Sequence, residues 1–457
     1  MIRSVAFIAY NLLFPLFRLI VRILALYSPK INNSLSAREH LFESLEKKLL
    51  AFRNQTNKNL PTIWFHAASV GEFEQARPII EKLKETDEFL LVITFFSPSG
   101  YEARKNYPDA IVCYLPEDSI LNAKRFIDII KPEIAVFMRY DVWFNHLFYA
   151  KKSGAKTCLL AATLNPEGYY FKPILKHFYK ALFDMFDVIG TSSESDYQAF
   201  HSYQFSDEKI SLTGDPRIDQ VIIRSQKNDQ KKFQFESFFL KRWVFVAGST
   251  WPKDEAFILE AVAKNLSKLE EKKFSLIIVP HEINALKINE LLKKCRQKGL
   301  TPKLISQLNT IGEEGFSEGQ TAANVLIIDE IGYLFELYAL AKAAYVGGGF
   351  GVHIHNILEP AVYGIPVIWG KKCHKAHEAG ILEKIGGGVR LSEYETALLL
   401  FEKSLLSLVA NEEERISMGK NGREYVFSQF GAAERSAKII QSFLRDFKSK
   451  KRYNPPY

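Results

Sequence analysis

Short apolar runs alternate with amphipathic stretches along most of the chain. From residue 62 onward the runs predict strands at 62–65, 89–94, 111–114, 133–138, 157–161, 188–191 and 210–213. Between them, apolar positions three and four apart predict a helix ending near 84, another starting near 97, and helices over 121–130, 144–152 and 174–186. A basic helical stretch at 36–52 precedes this set. Residues 214–219 read as turn-rich, and the polar run RSQKNDQKK at 224–232 reads as a linker. A second alternation then predicts strands at 244–247, 274–279, 325–328, 343–346 and 366–368, with helices over 253–269, 284–298 and 333–341. Helical patterns dominate from 392 to the end. Strand–helix alternation makes a parallel sheet covered on both faces, so the pattern predicts two doubly wound α/β domains. Ligands in such sheets sit beyond the carboxyl ends of the strands, and two facing domains would enclose a cleft.

The first residues follow a different pattern. VAFIAYNLLFPLFRLIVRILAL at 5–26 has no acid, and Asn11, Pro15, Arg18 and Arg22 interrupt it. The following Leu26-Tyr27-Ser28-Pro29 is a poor signal-peptidase site. The pattern suits a short hydrophobic anchor or an interfacial helix whose arginines reach anionic headgroups, with a buried core helix as the alternative. Positive flanks place the adjoining body on the cytoplasmic side. The expected organisation is an anchor helix at 1–30, a first α/β domain at 31–223, a linker at 224–242, a second α/β domain at 243–430, and a helix with a basic tail at 431–457.

Charge sharpens this picture. The 457 residues carry a net +8, with eight basic against three acidic residues up to Arg53 and five against one from Gln441 onward. The long body between is close to neutral, which argues against a nucleic-acid groove and points both ends toward an anionic surface. Hydrophobic residues are 47% and charged residues 25%, an ordinary globular balance. Cys113, Cys158, Cys295 and Cys373 lie far apart, so a disulfide framework or zinc site is not expected.

The candidate chemistry falls at strand ends. Neither a P-loop nor a Gly-x-Gly-x-x-Gly fingerprint follows a first strand, and no Asp-x-Asp pair occurs. His66-Ala67-Ala68-Ser69-Val70-Gly71-Glu72 follows the first strand of the body. Its small residues allow a tight turn, and Glu72 then stands near a helix N-terminus, either as a proton acceptor for a substrate hydroxyl or as a carboxylate complementing the helix dipole. Val346-Gly347-Gly348-Gly349-Phe350-Gly351 follows a strand of the second domain and leads through His353, His355 and Asn356 to Glu359. A glycine-rich turn into a helix suits a phosphate, and Glu359 suits ribose hydroxyls; a plain tight turn is the alternative. The histidines lack convergent acids or cysteines, so no metal site is expected. Gly248-Ser249-Thr250 and Pro280-His281-Glu282 also lie at strand ends and converge on the same nucleotide reading.

Taken together, HAASVGE at 66–72, GGGFGVHIHNILE at 347–359, Gly364-Ile365-Pro366-Val367, and Gly248-Ser249-Thr250 with Asp254-Glu255 resemble the Kdo (3-deoxy-D-manno-octulosonic acid) transferases of lipopolysaccharide assembly. The resemblance spans nearly the whole chain, including the anchor. It implies a GT-B fold and transfer of Kdo from CMP-Kdo to a lipid A precursor at the inner membrane, with no cofactor and no metal. It implies Glu72 as the proton acceptor, with Ser69, Gly71 and Asp141 at the substrate. It places CMP on Gly248, Ser249, Thr250, Pro280, His281, Ile331, Gly332, Tyr333, Gly348, Gly349, Asn356, Ile357, Leu358 and Glu359. A C-terminal helix crossing back onto the first domain is also implied, which would bring the basic residues at 448–452 near Arg18 and Arg22.

The chain departs from the family pattern at three places. Arg139 stands where an acid is usual before Asp141 and Trp143, His281 stands where an arginine is usual, and Ala162-Thr163-Leu164-Asn165 replaces an Arg-Leu-Ser pattern. The alternatives are another GT-B nucleotide-sugar transferase, an epimerase, or a catalytically silent membrane-attached sugar-binding protein.

Overall fold

The computed structural model describes residues 2–56, 60–165, 168–227, 239, 242–307, 324–351, 353–374 and 376–453. The chain divides into two compact units, one of Met1–Asp219 with Gly431–Tyr457 and the other of Gln220–Phe430.

The first unit is built on seven strands: β1 (Thr62–Ala67), β2 (Leu90–Phe95), β3 (Ala110–Tyr114), β4 (Ile134–Met138), β5 (Lys156–Ala162), β6 (Val188–Thr191) and β7 (Ile210–Leu212). All pairings are parallel, in the order β3-β2-β1-β4-β5-β6-β7. The central strands are buried on both faces, which is why they read as continuous apolar runs. Alternate residues of β1 divide between two cores: Trp64 joins one and Ile63 and Phe65 the other. The chain order reverses between β1 and β4, so the crevice of this doubly wound sheet opens beyond their carboxyl ends.

The second unit repeats the plan with β8 (Trp243–Thr250), β9 (Phe274–Pro280), β10 (Pro302–Leu304), β11 (Val325–Ile327), β12 (Ala343–Val346), β13 (Val367–Trp369) and β14 (Gly388–Arg390). Its order is β10-β11-β9-β8-β12-β13-β14, again all parallel, with the switch between β8 and β12. The edge strands β10 and β14 were not expected; three residues are too few to show a period of two.

Several helices differ from expectation. The stretch at 36–52 corresponds to the helix Leu41–Thr56, with Pro29–Ser36 a separate helix before it, and that at 253–269 divides into Pro252–Lys264 and Leu266–Glu270. Glu194–His201 is an added helix. Pro216–Lys227 is helical across residues read as a turn and as the start of the linker. Pro216 occupies the first helical position, where its missing N–H is harmless, so the dipeptide Asp215-Pro216 is a helix start. The rest of the polar run at 228–232 lies outside the described residues.

The N-terminal helix Ile2–Tyr27 packs against the helices Phe144–Lys152 and Pro173–Phe183 of the first unit. Phe7 lies 4.7 Å from the Phe148 ring. Three polar ties fix it: Tyr10 Oη donates to Asp118 Oδ2 at 2.8 Å, the Asn11 and Asn145 amides exchange bonds of 3.0 and 2.8 Å, and Arg18 Nε lies 2.5 Å from Glu117. Leu12, Leu13, Leu16, Phe17, Leu19 and Ile20 are exposed on the remaining surface. Phe7–Tyr27 is long and apolar enough to cross a membrane.

The C-terminal helix Ala432–Tyr453 docks on the first unit through Ala433, Ala437, Ile440 and Leu444, in the core that contains Ile63 and Phe65. Phe7 and Tyr10 pack against the other core, on the opposite face of the sheet. The two helices that carry the basic ends thus pack on opposite faces of the sheet, and the expected approach of 448–452 to Arg18 and Arg22 concerns side chains outside those described.

Candidate active site at two strand-end crevices

At the carboxyl end of β1, Ser69 caps the helix Val70–Lys84 and Glu72 occupies its third position. Glu72 Oε2 accepts the Ser69 amide at 2.7 Å and the Ser69 hydroxyl at 3.0 Å, one half of a capping box. The dipole-complementing role is thus present, and it engages one oxygen. Oε1 takes no hydrogen bond from the described residues. Glu72 is only 6% exposed. Burial raises its pKa, the Ser69 hydroxyl opposes the rise, and the charge of Asp141 adds to it. Gly71 lies in the same first turn with space around it: an added Cβ would meet nothing nearer than Ser69 Oγ at 3.8 Å.

Asp141 lies beyond β4, across the crevice mouth. Its Oδ2 is 3.0 Å from His66 Nε2 and 3.2 Å from Trp143 Nε1. Arg139, at the head of this loop, has φ of 62°, a left-handed conformation costly for a side chain with a Cβ, and its amide is fixed to the Leu160 carbonyl at 2.9 Å. His66 and Thr94 belong to this constellation and were absent from the expected site; the parallel register that sets His66 beside Thr94 is the signal that reveals them.

In the second unit the site is made by close backbone approach. Gly347 passes the end of β8 so tightly that a Cβ would stand 2.2 Å from the Ser249 carbonyl oxygen. Gly348 has φ of 93° and a Cβ there would stand 2.0 Å from the His353 oxygen. The expected availability of this turn for a phosphate is narrowed: the Gly348 amide already donates to Asp254 Oδ2 at 3.0 Å. Asp254 also accepts the Trp251 amide at 3.0 Å and the Tyr345 hydroxyl at 2.7 Å. The helix after the turn is a single short one, Leu358–Ala361.

Asn356 bridges to this helix, donating to Glu359 Oε1 at 3.3 Å and accepting the Leu358 amide at 3.1 Å. Glu359 has some exposed surface but is deeply set among protein atoms, and this burial pushes its carboxyl up to about 7, against the pull of Arg224 and Asn356. Arg224, expected in a linker, lies instead on a helix with its guanidinium 3.0 Å from Glu336 and over the Phe335 ring. Ile357 and Leu358 are fully buried, so their side chains belong to packing and leave only backbone for a ligand.

Beyond β8 and β9 three rings stack: Trp251 on His281 at 4.9 Å, and His281 on His355 at 4.3 Å. Burial and the neighbouring His281 push the His355 imidazole down to about 4, so it is neutral at physiological pH. The His281 amide donates to the Thr250 carbonyl at 2.9 Å, joining the two strand ends. Thr250 in turn donates its hydroxyl to Glu255. Ile331 and Gly332 form an open turn before Leu334–Tyr338: Ile331 is 92% exposed and Gly332 has φ of 107°. Tyr333 donates to Glu330 at 3.1 Å. Gly349 packs against Gly370, where a Cβ would stand 2.5 Å from Cα. Among the described residues no group of three or more His, Cys, Asp and Glu converges as a metal-ligand set.

Two doubly wound seven-stranded sheets, each with candidate site residues at its switch point, define the GT-B class. Solved structures support that fold. UDP-GlcNAc 2-epimerase from Neisseria meningitidis superimposes with a TM-score of 0.59 at 16% identity, over 84% of this chain and 100% of that one. MurG from Acinetobacter baumannii gives 0.55 at 11% identity, over 84% and 99%.

Sequence relatives narrow the class. Residues 43–220 match the family model of 3-deoxy-D-manno-octulosonic-acid transferases. The chain is 30% identical to the 3-deoxy-D-manno-octulosonic acid transferase of Aquifex aeolicus, over 82% of this chain and 93% of that protein. The transferase of Chlamydia trachomatis serovar A is 28% identical over 84% and 86%. The chain belongs to the 3-deoxy-D-manno-octulosonic acid transferase family and is a glycosyltransferase.

Proposed function

We propose that this enzyme transfers Kdo from CMP-Kdo to a lipid A precursor of lipopolysaccharide assembly, without a metal and with Glu72 as general base. The observation that carries the assignment of Glu72 is its geometry: a buried carboxylate at the first unit's switch point, one oxygen held by Ser69 and the other open to a substrate. Glu72 takes the proton of an acceptor sugar hydroxyl. The hydroxyl oxygen bonds to the anomeric carbon of Kdo while the bond from that carbon to the CMP phosphate oxygen breaks, its electron pair leaving on CMP. A positioned base of this kind contributes roughly 10²–10⁴-fold. The raised pKa brings the base closer to the operating pH, which increases its proton-accepting strength.

CMP-Kdo is assigned to the second unit, around Gly248, Ser249, Thr250, Pro280, His281, the 331–333 turn and Asn356 to Glu359. Gly348 and Gly349 shape that site through backbone packing. Ser69, Gly71 and Asp141 are assigned to the acceptor side.

The exposed apolar side of the N-terminal helix supports attachment to the anionic inner membrane, with the catalytic body on the cytoplasmic side. Mass spectrometry of the lipid formed from a lipid A precursor and CMP-Kdo tests the reading. Wild-type enzyme adds at least one Kdo mass to the lipid in the presence of a chelator, and Glu72→Gln forms about 10²–10⁴-fold less product in the same time while still binding CMP. Wild-type turnover by Glu72→Gln would refute the assignment of the base, and chelator-dependent loss would refute metal independence.

A further inference from the structure

Behind Asp141 runs a buried chain of side chains that the proposed mechanism does not use. Trp64 and His66 project from the same side of β1, and Thr94 of β2 stands beside them in register. Trp64 Nε1 lies 2.9 Å from Thr94 Oγ1, and Thr94 Oγ1 lies 2.9 Å from His66 Nδ1. His66 Nε2 lies 3.0 Å from Asp141 Oδ2, which also receives Trp143 Nε1 at 3.2 Å. Trp64, His66 and Thr94 are fully buried.

The direction of every bond follows from its chemistry. An indole N–H only donates, so Thr94 Oγ1 accepts from Trp64. The Thr94 hydroxyl proton then needs an acceptor in a place without water, and His66 Nδ1 is its acceptor among the described residues. Nδ1 therefore carries no proton, and the imidazole proton sits on Nε2, directed at Asp141. A doubly protonated ring would leave the Thr94 proton buried without a partner, which is costly. Asp141 Oδ2 is held by two neutral donors, the ring and the Trp143 indole. Oδ1 takes no hydrogen bond from the described residues, and the side chain keeps 27% of its surface exposed, near enough to Glu72 for its charge to act on that carboxyl.

We propose that His66 is a positioning residue: locked as its Nε2-protonated tautomer by Thr94 and Trp64, it fixes the Asp141 carboxylate so that Oδ1 presents an acceptor to a second hydroxyl of the sugar whose first hydroxyl meets Glu72. This deepens the proposed transferase reading and rests on it for the nature of the hydroxyl. His66 touches no substrate; it acts through Asp141.

Steady-state kinetics of the full chain with a lipid A precursor and CMP-Kdo, combined with ¹⁵N spectra of ring-labelled histidine, test the proposal. His66→Leu lowers kcat/KM for the lipid about 10–100-fold, as expected for loss of a hydrogen bond to a charged group, and leaves KM for CMP-Kdo unchanged. His66→Gln, whose amide nitrogen can take the place of Nε2, recovers most of the loss. In an Asp141→Ala background the two variants are equal within twofold, because the group through which His66 acts is gone. The ¹⁵N signals that disappear in His66→Gln show a protonated Nε2 and a bare Nδ1. Wild-type kinetics for His66→Leu would overturn the proposal. So would an equal loss in His66→Leu and His66→Gln, or a full further loss in the Asp141→Ala background. The opposite tautomer would overturn the lock whatever the substrate proves to be. Failure of the wild-type enzyme to transfer Kdo would instead overturn the transferase reading, leaving the tautomer result standing on its own.

Discussion

The two switch-point sites solve the same topological problem with different materials. In the first unit the crevice is furnished by polar side chains, and two carboxylates, Glu72 and Asp141, each keep one oxygen without a hydrogen bond from the described residues. In the second unit backbone meets backbone at Gly347, Gly348 and Gly349, and Asp254 spends both oxygens on Gly348, Trp251 and Tyr345. The first arrangement leaves acceptors for chemistry. The second fixes a surface to fractions of an ångström, which suits the nucleotide proposed for it.

The largest break in this contrast comes from Glu72→Gln. Its amide oxygen still accepts from Ser69, so the melting temperature stays within a degree or two while turnover falls about 10²–10⁴-fold. Because burial lifts the Glu72 carboxyl, the acid limb of kcat/KM in the wild type lies above the ordinary glutamate range, which a pH–rate profile reads directly.

Gly348→Ala inverts the pattern. The added Cβ meets the His353 oxygen on a left-handed backbone, costing about 1–3 kcal/mol and weakening CMP binding in calorimetry. Asp254→Asn is milder. It keeps the shape but replaces an acceptor by a donor that faces the Gly348 amide or the Tyr345 hydroxyl, a loss of about 1–2 kcal/mol by thermal denaturation.

The smallest effect concerns protons at Glu359. Its pKa in the fold, about 7, exceeds the ordinary value, so the folded state holds the proton more tightly. The stability this adds is complete below the ordinary glutamate range and is lost as pH rises through about 7. If the carboxylate accepts ribose hydroxyls, CMP affinity rises by up to about tenfold per pH unit on approaching 7 and then levels. Glu359→Gln flattens both dependences.

Strand ends were the legible part of this protein. β1, β2, β4 and β9 stand within a residue or two of their expected positions because both of their faces are buried and the runs are uninterrupted. The position of Glu72 at a helix start was legible because the turn and the helix that hold it are contiguous in the chain. The Trp64–Thr94–His66–Asp141 chain was not. It depends on register between strands 28 and 75 residues apart, which no local pattern encodes. The use of the Gly348 amide by Asp254, 94 residues away, was hidden for the same reason. The two basic ends looked alike in composition, yet the face of the sheet each helix covers is decided by packing.

The seating of the N-terminal helix carries a mechanical consequence. Asn145 and the Asn145 and His146 amides bound by Asp118 form the first turn of Phe144–Lys152, which follows Asp141 by three residues. The N-terminal helix and Asp141 are therefore joined by a short stiff coupling. In the proposed membrane-attached enzyme that stiffness would set the height of the reacting groups above the lipid headgroups, as the arm of a gauge sets its needle. Bilayer thickness and headgroup packing would then act on the rate of transfer as well as on recruitment of the enzyme to its surface.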